Sequence, residues 1–173
     1  MKKTRPKPGR LDGDEHLGAD HKAKPSIQTM SGASMSGLDH LRAVKSGVVQ
    51  HPPIAGLIGC SIQEVEEGSV VFEFSPSEQY YNDFGTVHGG LAAAVIDAAT
   101  GCAVYSTLAA GAGFATINLN VQYVRPITAD VGKMRCEGRI IQVGNRIGTA
   151  EAKLVDQQGR IYAFGSSSCM ILR

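Results

Sequence analysis

A chain of 173 residues, 43% of them hydrophobic, has room for one ordinary domain and for a core to hold it together. Its 17 basic and 16 acidic residues leave a formal net charge of +1, which argues against nucleic acid, a membrane surface or a strongly acidic partner. The longest apolar run, 91–110, is broken by Asp97 and supplies no membrane helix of ~20 apolar residues, and the basic N-terminus is mixed with Asp12, Asp14, Glu15 and Asp20 and followed by no apolar segment, so neither a secretory signal nor a transit peptide is read and a cytoplasmic protein is expected.

Residues 1–36, rich in Lys, Gly, Asp, Ser and Pro with few apolar anchors, are expected to form a disordered tail, leaving 37–173 as the domain. Leu38, Leu41 and Val44 recur at helical spacing ahead of Gly47, so a short helix is predicted there. His51-Pro52-Pro53 then predicts an extended connection. From Cys60 the pattern becomes that of strands. Two apolar-rich runs, one with Ile62 and Val65 and one with Val70, Val71, Phe72 and Phe74, flank a hairpin turn at Glu66-Glu67-Gly68-Ser69.

Residues 75–90 read as a loop, and Leu91 to about Leu108 as one long helix, apolar nearly all round and therefore buried. Four strand segments follow. Ile117, Leu119, Val121 and Tyr123 alternate with Thr116, Asn118, Asn120 and Gln122, a period of two with one packed and one polar face. Residues 133–143 and 146–155 are separated by a Gly144-Asn145 turn, and 156–159 turn into a last strand over 160–172. The fold class is α+β: an antiparallel sheet wrapped around one long buried helix. Cys60, Cys102, Cys136 and Cys169 lack metal-site spacing and read as small buried hydrophobes in a reducing compartment.

Chemistry concentrates around the start of the long helix. Asp97 interrupts an apolar helix, where it is a poor helix former and where an unpaired carboxylate would cost several kcal/mol. It must face either a partner or a polar cavity, as a structural aspartate or as a base or nucleophile. His88-Gly89-Gly90 precedes it. Glycines allow a tight turn and close approach of a ligand, and the first free amides of a helix can form an oxyanion hole worth roughly 3–4 kcal/mol per donor. Asp97 lies seven residues beyond Gly90, ~10 Å along the axis, too far to act on a group held by the Gly89 amide of the same chain. A joint site would therefore need two chains.

The segment 81–97, Tyr-Asn-Asp-Phe-Gly-Thr-Val-His-Gly-Gly-Leu-Ala-Ala-Ala-Val-Ile-Asp, resembles the motif of the phenylacetate-degradation-type hotdog thioesterases, the PaaI-like family. So does 116–126, which ends Tyr-Val-Arg-Pro. The resemblance runs from about His51 to Leu172 and implies a hotdog fold and hydrolysis of an acyl-CoA, with no metal or organic cofactor and with the site shared across a dimer, in a family whose dimers often pair into tetramers, so a dimer or a tetramer is expected. It implies Asp97 as general base or nucleophile, the Gly89 amide on the thioester oxygen, His88 orienting the turn or the thioester, Asn82 positioning thioester or water, and Thr116 holding the water. Gly90, Tyr81 and Phe84 are candidates for substrate contact, with Tyr80 and Tyr105 further candidates to line the acyl pocket. Among Arg125, Arg135, Arg139 and Arg146, Arg146 beside the Gly144-Asn145 turn is preferred for the CoA phosphates. Two rivals stand beside this: a hotdog enoyl-CoA hydratase or dehydratase, its dehydratase branch disfavoured by the lack of a His-Phe-Pro-Gly segment, and a non-catalytic acyl-CoA-binding module, which would gain nothing from Asp97.

Overall fold

The computed structural model describes residues 34–173. The tail expected over 1–36 thus lies outside the described residues except at 34–36. Ser36 belongs to the domain, because its hydroxyl accepts from Asp39 N at 3.1 Å and caps the first helix, α1 (Gly37–Lys45). The helix buries Leu41 and Val44, two of the residues that predicted it, and Gly37 N donates to Leu108 O at 2.9 Å. The connection after His51 is only partly extended. Pro53 opens a short second helix, α2 (Pro53–Leu57), in the first turn, where a missing N–H costs no helical hydrogen bond.

Six strands follow as β1 (Cys60–Glu66), β2 (Ser69–Phe74), β3 (Gly113–Tyr123), β4 (Met134–Val143), β5 (Ile147–Val155) and β6 (Ile161–Leu172). They form one sheet in the order β1-β2-β4-β5-β6-β3, every neighbouring pair antiparallel. The long helix, α3 (Gly89–Tyr105), begins two residues before the apolar run that predicted it and packs against β2, β3, β4, β5 and β6. This is the hotdog arrangement, a sheet curled about one helix. Val95, Ile96, Ala99 and Val104 of the helix are fully buried with Phe74, Met134 and Leu154 of the sheet. Contact is close because β4 lacks a side chain where it crosses the helix. A Cβ on Gly138 would stand 2.4 Å from the Ala99 carbonyl oxygen. The buried Thr100 hydroxyl donates to Ile96 O at 3.0 Å, so it adds no unpaired polar group to this packing.

β3 departs from its expected alternation. The strand starts at Gly113, and its register with β6 slips between Thr116 and Asn118. Ile117 sits in that bulge and is 56% exposed rather than packed. The extra residue lets Phe114 and Thr116 before it, and Leu119 and Val121 after it, all turn toward the interior side of β6. β3 is also an edge, with Tyr123 and Val124 exposed beside Ile117.

Among the described residues no helix is long and apolar enough to cross a membrane. All four cysteines are free thiols, Cys102 half-buried and the others buried, and burial pushes Cys60 and Cys102 up to about 12.

Candidate active site

The turn that leads into α3 is built by Asn82. Its backbone N–H donates to Thr86 O at 2.8 Å, and its side-chain Oδ1 accepts from Phe84 N at 2.9 Å and from the Thr86 hydroxyl at 3.3 Å. That folds 82–86 into a tight loop and throws Phe84 out, 90% exposed. Tyr81 is bound into the scaffold, its hydroxyl accepting from Ala129 N at 2.8 Å. Asn82 therefore acts first as a turn residue, with its oxygen committed and its amide group the part left for other contacts.

His88 is the N-cap of α3. Its Nδ1 accepts from Gly90 N at 3.0 Å, which in the neutral ring leaves the proton on Nε2 of an exposed side chain. His88 N donates to Tyr80 O at 2.8 Å, and His88 O accepts from Leu91 N at 2.9 Å. With the Gly90 amide used by the histidine, the next donor is Gly89 N–H, which makes no hydrogen bond among the described residues. The free amide at the head of the helix is thus the one expected of Gly89, while Gly90 serves the cap. A Cβ on Gly89 would lie 3.2 Å from the Tyr123 ring, whose hydroxyl donates to Gly89 O at 2.9 Å.

Gly89 and Asn82 share a cleft of about 350 Å³ with Tyr123 and Arg125, walled in part by the buried Val87, Ala92 and Ile127. Asp97 does not line it. Two turns down α3, Asp97 is half-buried, and its Oδ1 is fully enclosed without a hydrogen-bond partner. The only other such side-chain atom among the described residues is Nδ1 of His40, whose ring packs edge-on against Tyr105. Gly90, Ala94, Asp97 and Ala98, on the side of α3 that the sheet leaves open, are exposed or half-buried. The aspartate that interrupts the apolar helix thus has, among the described residues, no hydrogen-bond partner for that oxygen, on a face of otherwise small residues.

β3 runs antiparallel to α3, with Tyr123 against Gly89 at one end and Phe114 against Gly101 at the other. Thr116, two residues from Phe114, therefore lies toward Asp97 rather than Gly89. Its hydroxyl sits 3.9 Å from Cys169 Sγ. The candidate residues thus fall into two groups within one chain, Asn82, His88 and Gly89 at the head of the helix and Asp97 with Thr116 farther down.

The arginines separate as well. Arg146 carbonyl accepts from Ile171 N and Ile147 pairs with Met170, which faces Ala115 of β3. That is eight residues from Tyr123, about 26 Å along the strand. Arg135 is paired with Glu64 at 2.9 Å, and Arg139 with Glu151, on the outer face of the sheet. Of the four it is Arg125 that borders the Gly89 cleft, its guanidinium donating to Ile161 O. The Tyr123 contact with Gly89 was not foreseen either. The only signal for it was the Tyr-Val-Arg-Pro ending of the strand, which marks a residue type without saying which end of the helix it reaches.

Residues 84–163 match the thioesterase superfamily. A protein of Halobacterium salinarum that carries the name of an esterase is 33% identical over 122 residues, 68% of this chain and 79% of its own length. The crystal structure of a phenylacetic acid degradation-related protein from Ralstonia eutropha superposes with a TM-score of 0.69 at 30% identity, over 75% of this chain and 98% of that one. The PaaI protein of the Escherichia coli phenylacetic acid degradation operon shares the fold, with a TM-score of 0.68 at 20% identity over 79% and 96% of the two chains. Thioester hydrolysis is the general reaction these likenesses support, and by them the chain belongs to the thioesterase superfamily, among hotdog proteins of the phenylacetic acid degradation type.

Proposed function

We propose that this protein hydrolyses an acyl-CoA to the free acid and CoA in a site shared between two copies of the chain. One observation carries the proposal: α3 has an unbonded Gly89 amide at its head and an enclosed, unpartnered Asp97 oxygen two turns below. Neither feature helps a chain that only folds, and they stand too far apart to meet on one substrate carbonyl in one copy. Pairing two chains resolves the distance, because the head of one helix can face the middle of another. The small-residue face of α3 and the exposed β3 edge with Ile117 and Tyr123 offer a surface for that pairing.

In this mechanism the thioester oxygen accepts from Gly89 N–H of one chain, with the Nε2–H of His88 and the Asn82 amide beside it. Asp97 of the other chain takes a proton from a water that Thr116 helps to hold, and the water oxygen bonds to the carbonyl carbon. The oxyanion rests on the amide while the C–S bond breaks, and the departing thiolate takes up the proton. Attack by Asp97 itself would reach the same products through an anhydride. Neither metal nor organic cofactor is required. Arg125, beside the Gly89 cleft, is better placed than Arg146 to meet the CoA phosphates of a substrate bound there. The free thiols suit a cytoplasmic setting.

The test is complementation. Asp97→Asn and Gly89→Ala homodimers should each be nearly inactive in thiol release from a panel of short-chain, medium-chain and aryl acyl-CoAs. After subunit exchange, half the dimers are mixed and each has one intact site, so about a quarter of native activity should return. No recovery from mixtures shown to contain heterodimer would rule out a shared site. Hydration of an enoyl-CoA, or binding without turnover, would replace the hydrolytic assignment.

A further inference from the structure

We propose that Tyr123 is a positioning residue for this reaction, acting through the Gly89–Gly90 peptide on both the oxyanion turn and His88. The proposal rests on the thioester-hydrolysis reading of the turn. That peptide is held at both of its polar ends. Its carbonyl oxygen accepts from the Tyr123 hydroxyl at 2.9 Å, and its N–H donates to His88 Nδ1 at 3.0 Å. The Tyr123 ring also closes over Gly89, near enough that a Cβ there would lie 3.2 Å from Cζ.

The tyrosine is itself fixed. It pairs with Ala163 at the end of β3, and the next residue, Val124, donates from N to Tyr162 O at 2.7 Å. The sheet therefore sets the angle of the helix's first peptide through one side chain. Donation into a peptide carbonyl polarises the peptide, so its N–H becomes a better donor on the other side. Here that strengthens the bond to Nδ1, which keeps the His88 proton on Nε2, the nitrogen turned away from the cap. The Gly89 amide, one peptide upstream, is held in the same turn without spending its own hydrogen bond.

Tyr123→Phe tests this, since it keeps the ring over Gly89 and removes only the hydroxyl. Two readouts on the full chain are needed: steady-state thiol release, and the ¹⁵N resonances of the His88 ring in histidine-labelled protein, identified by their loss in His88→Gln. The expected result is a kcat lower by about 3- to 10-fold, the range of one neutral hydrogen bond, with KM within about twofold. The two His88 ring nitrogens should move in opposite directions, toward one another, as the Nδ1-protonated tautomer gains share. Native kcat in Tyr123→Phe would overturn the proposal. So would a lower kcat with unmoved His88 resonances, because the loss would then not pass through the turn. If the native protein releases no thiol from any acyl-CoA, the hydrolytic assignment falls on its own. Unmoved His88 resonances would then still overturn the role of Tyr123.

Discussion

Removing the Asp97 carboxylate should make the protein more stable while abolishing its activity. The carboxylate stands in the interior of a helix, where Asp is disfavoured relative to Ala by about 0.6 kcal/mol. Its Oδ1 is enclosed without a partner, and a buried polar atom left unbonded costs about 1–3 kcal/mol. Asp97→Ala removes both terms. It leaves little void, because Ala94 and Ala98 already make this face of α3 shallow. The expected gain is about 1.5–3.5 kcal/mol, read as a higher urea midpoint at unchanged slope or a Tm rise on the order of 10 °C. Asp97→Asn, which keeps the shape, should lower kcat by at least ~10²-fold with KM little changed, as loss of a base requires. An Asp97→Ala protein destabilised by more than about 1 kcal/mol would refute the reasoning, since the carboxylate would then be held by a bond that stabilises the fold. Near-native turnover in Asp97→Asn would remove it from the mechanism whatever its stability.

Gly138→Ala should destabilise strongly, by about 2–4 kcal/mol in chemical unfolding, because its Cβ would meet the Ala99 carbonyl at 2.4 Å and β4 or α3 must move; an unchanged midpoint would show that the sheet can shift there at no cost. At the β5–β6 turn, burial raises the Asp156 carboxyl, but bonds from Arg160 N at 2.9 Å, the Arg160 guanidinium at 2.6 Å and Gln158 N at 2.9 Å outweigh it and hold the group below its ordinary value. A folded-state value below the unfolded one contributes stability above the ordinary carboxylate range and loses it as pH falls through the depressed value. Asp156→Asn should therefore lower Tm at pH 7 and narrow its gap to the native protein as pH drops below 4; a gap independent of pH would refute that account.

Much of the fold could be read from periodicity, and the exceptions share a cause. The β1–β2 hairpin, the long helix and the four later strands appear where alternation and turn residues put them, because a buried face imposes its period on whatever sequence covers it. Ile117 broke the pattern because a bulge consumes a residue without changing the composition around it. Pro53 looked like part of an extended connection because a proline at the start of a helix and one in a linker are the same local signal. Within the site, spacing along one element was informative: His88 as N-cap, Gly89 as first residue and Asp97 mid-helix share one element, although the loop reading of 75–90 places the first two ahead of it. Spacing between elements was not. That Arg125 rather than Arg146 borders the Gly89 cleft, and that Tyr123 reaches Gly89, depends on which end of β3 meets the head of the helix, a fact set by the β6–β3 register and not by any motif.

The same geometry explains why a helix so poor in charge can carry a reaction. A sheet that buries most of α3 leaves one narrow face open, and that face is lined by Gly90, Ala94 and Ala98, too small to satisfy a polar neighbour. In a monomer Asp97 on such a face is a liability, and Gly89 N–H finds no acceptor among the described residues, leaving it to water. On the proposed mechanism a second copy brought onto the face would exclude water from the amide, which would strengthen its pull on a developing oxyanion. Assembly would then supply the low-dielectric surroundings as well as the missing residue. Activity should accordingly fall on dilution through the dimer dissociation range faster than any loss of secondary structure, because the half-site left on each folded chain retains its turn and its aspartate but not their proximity.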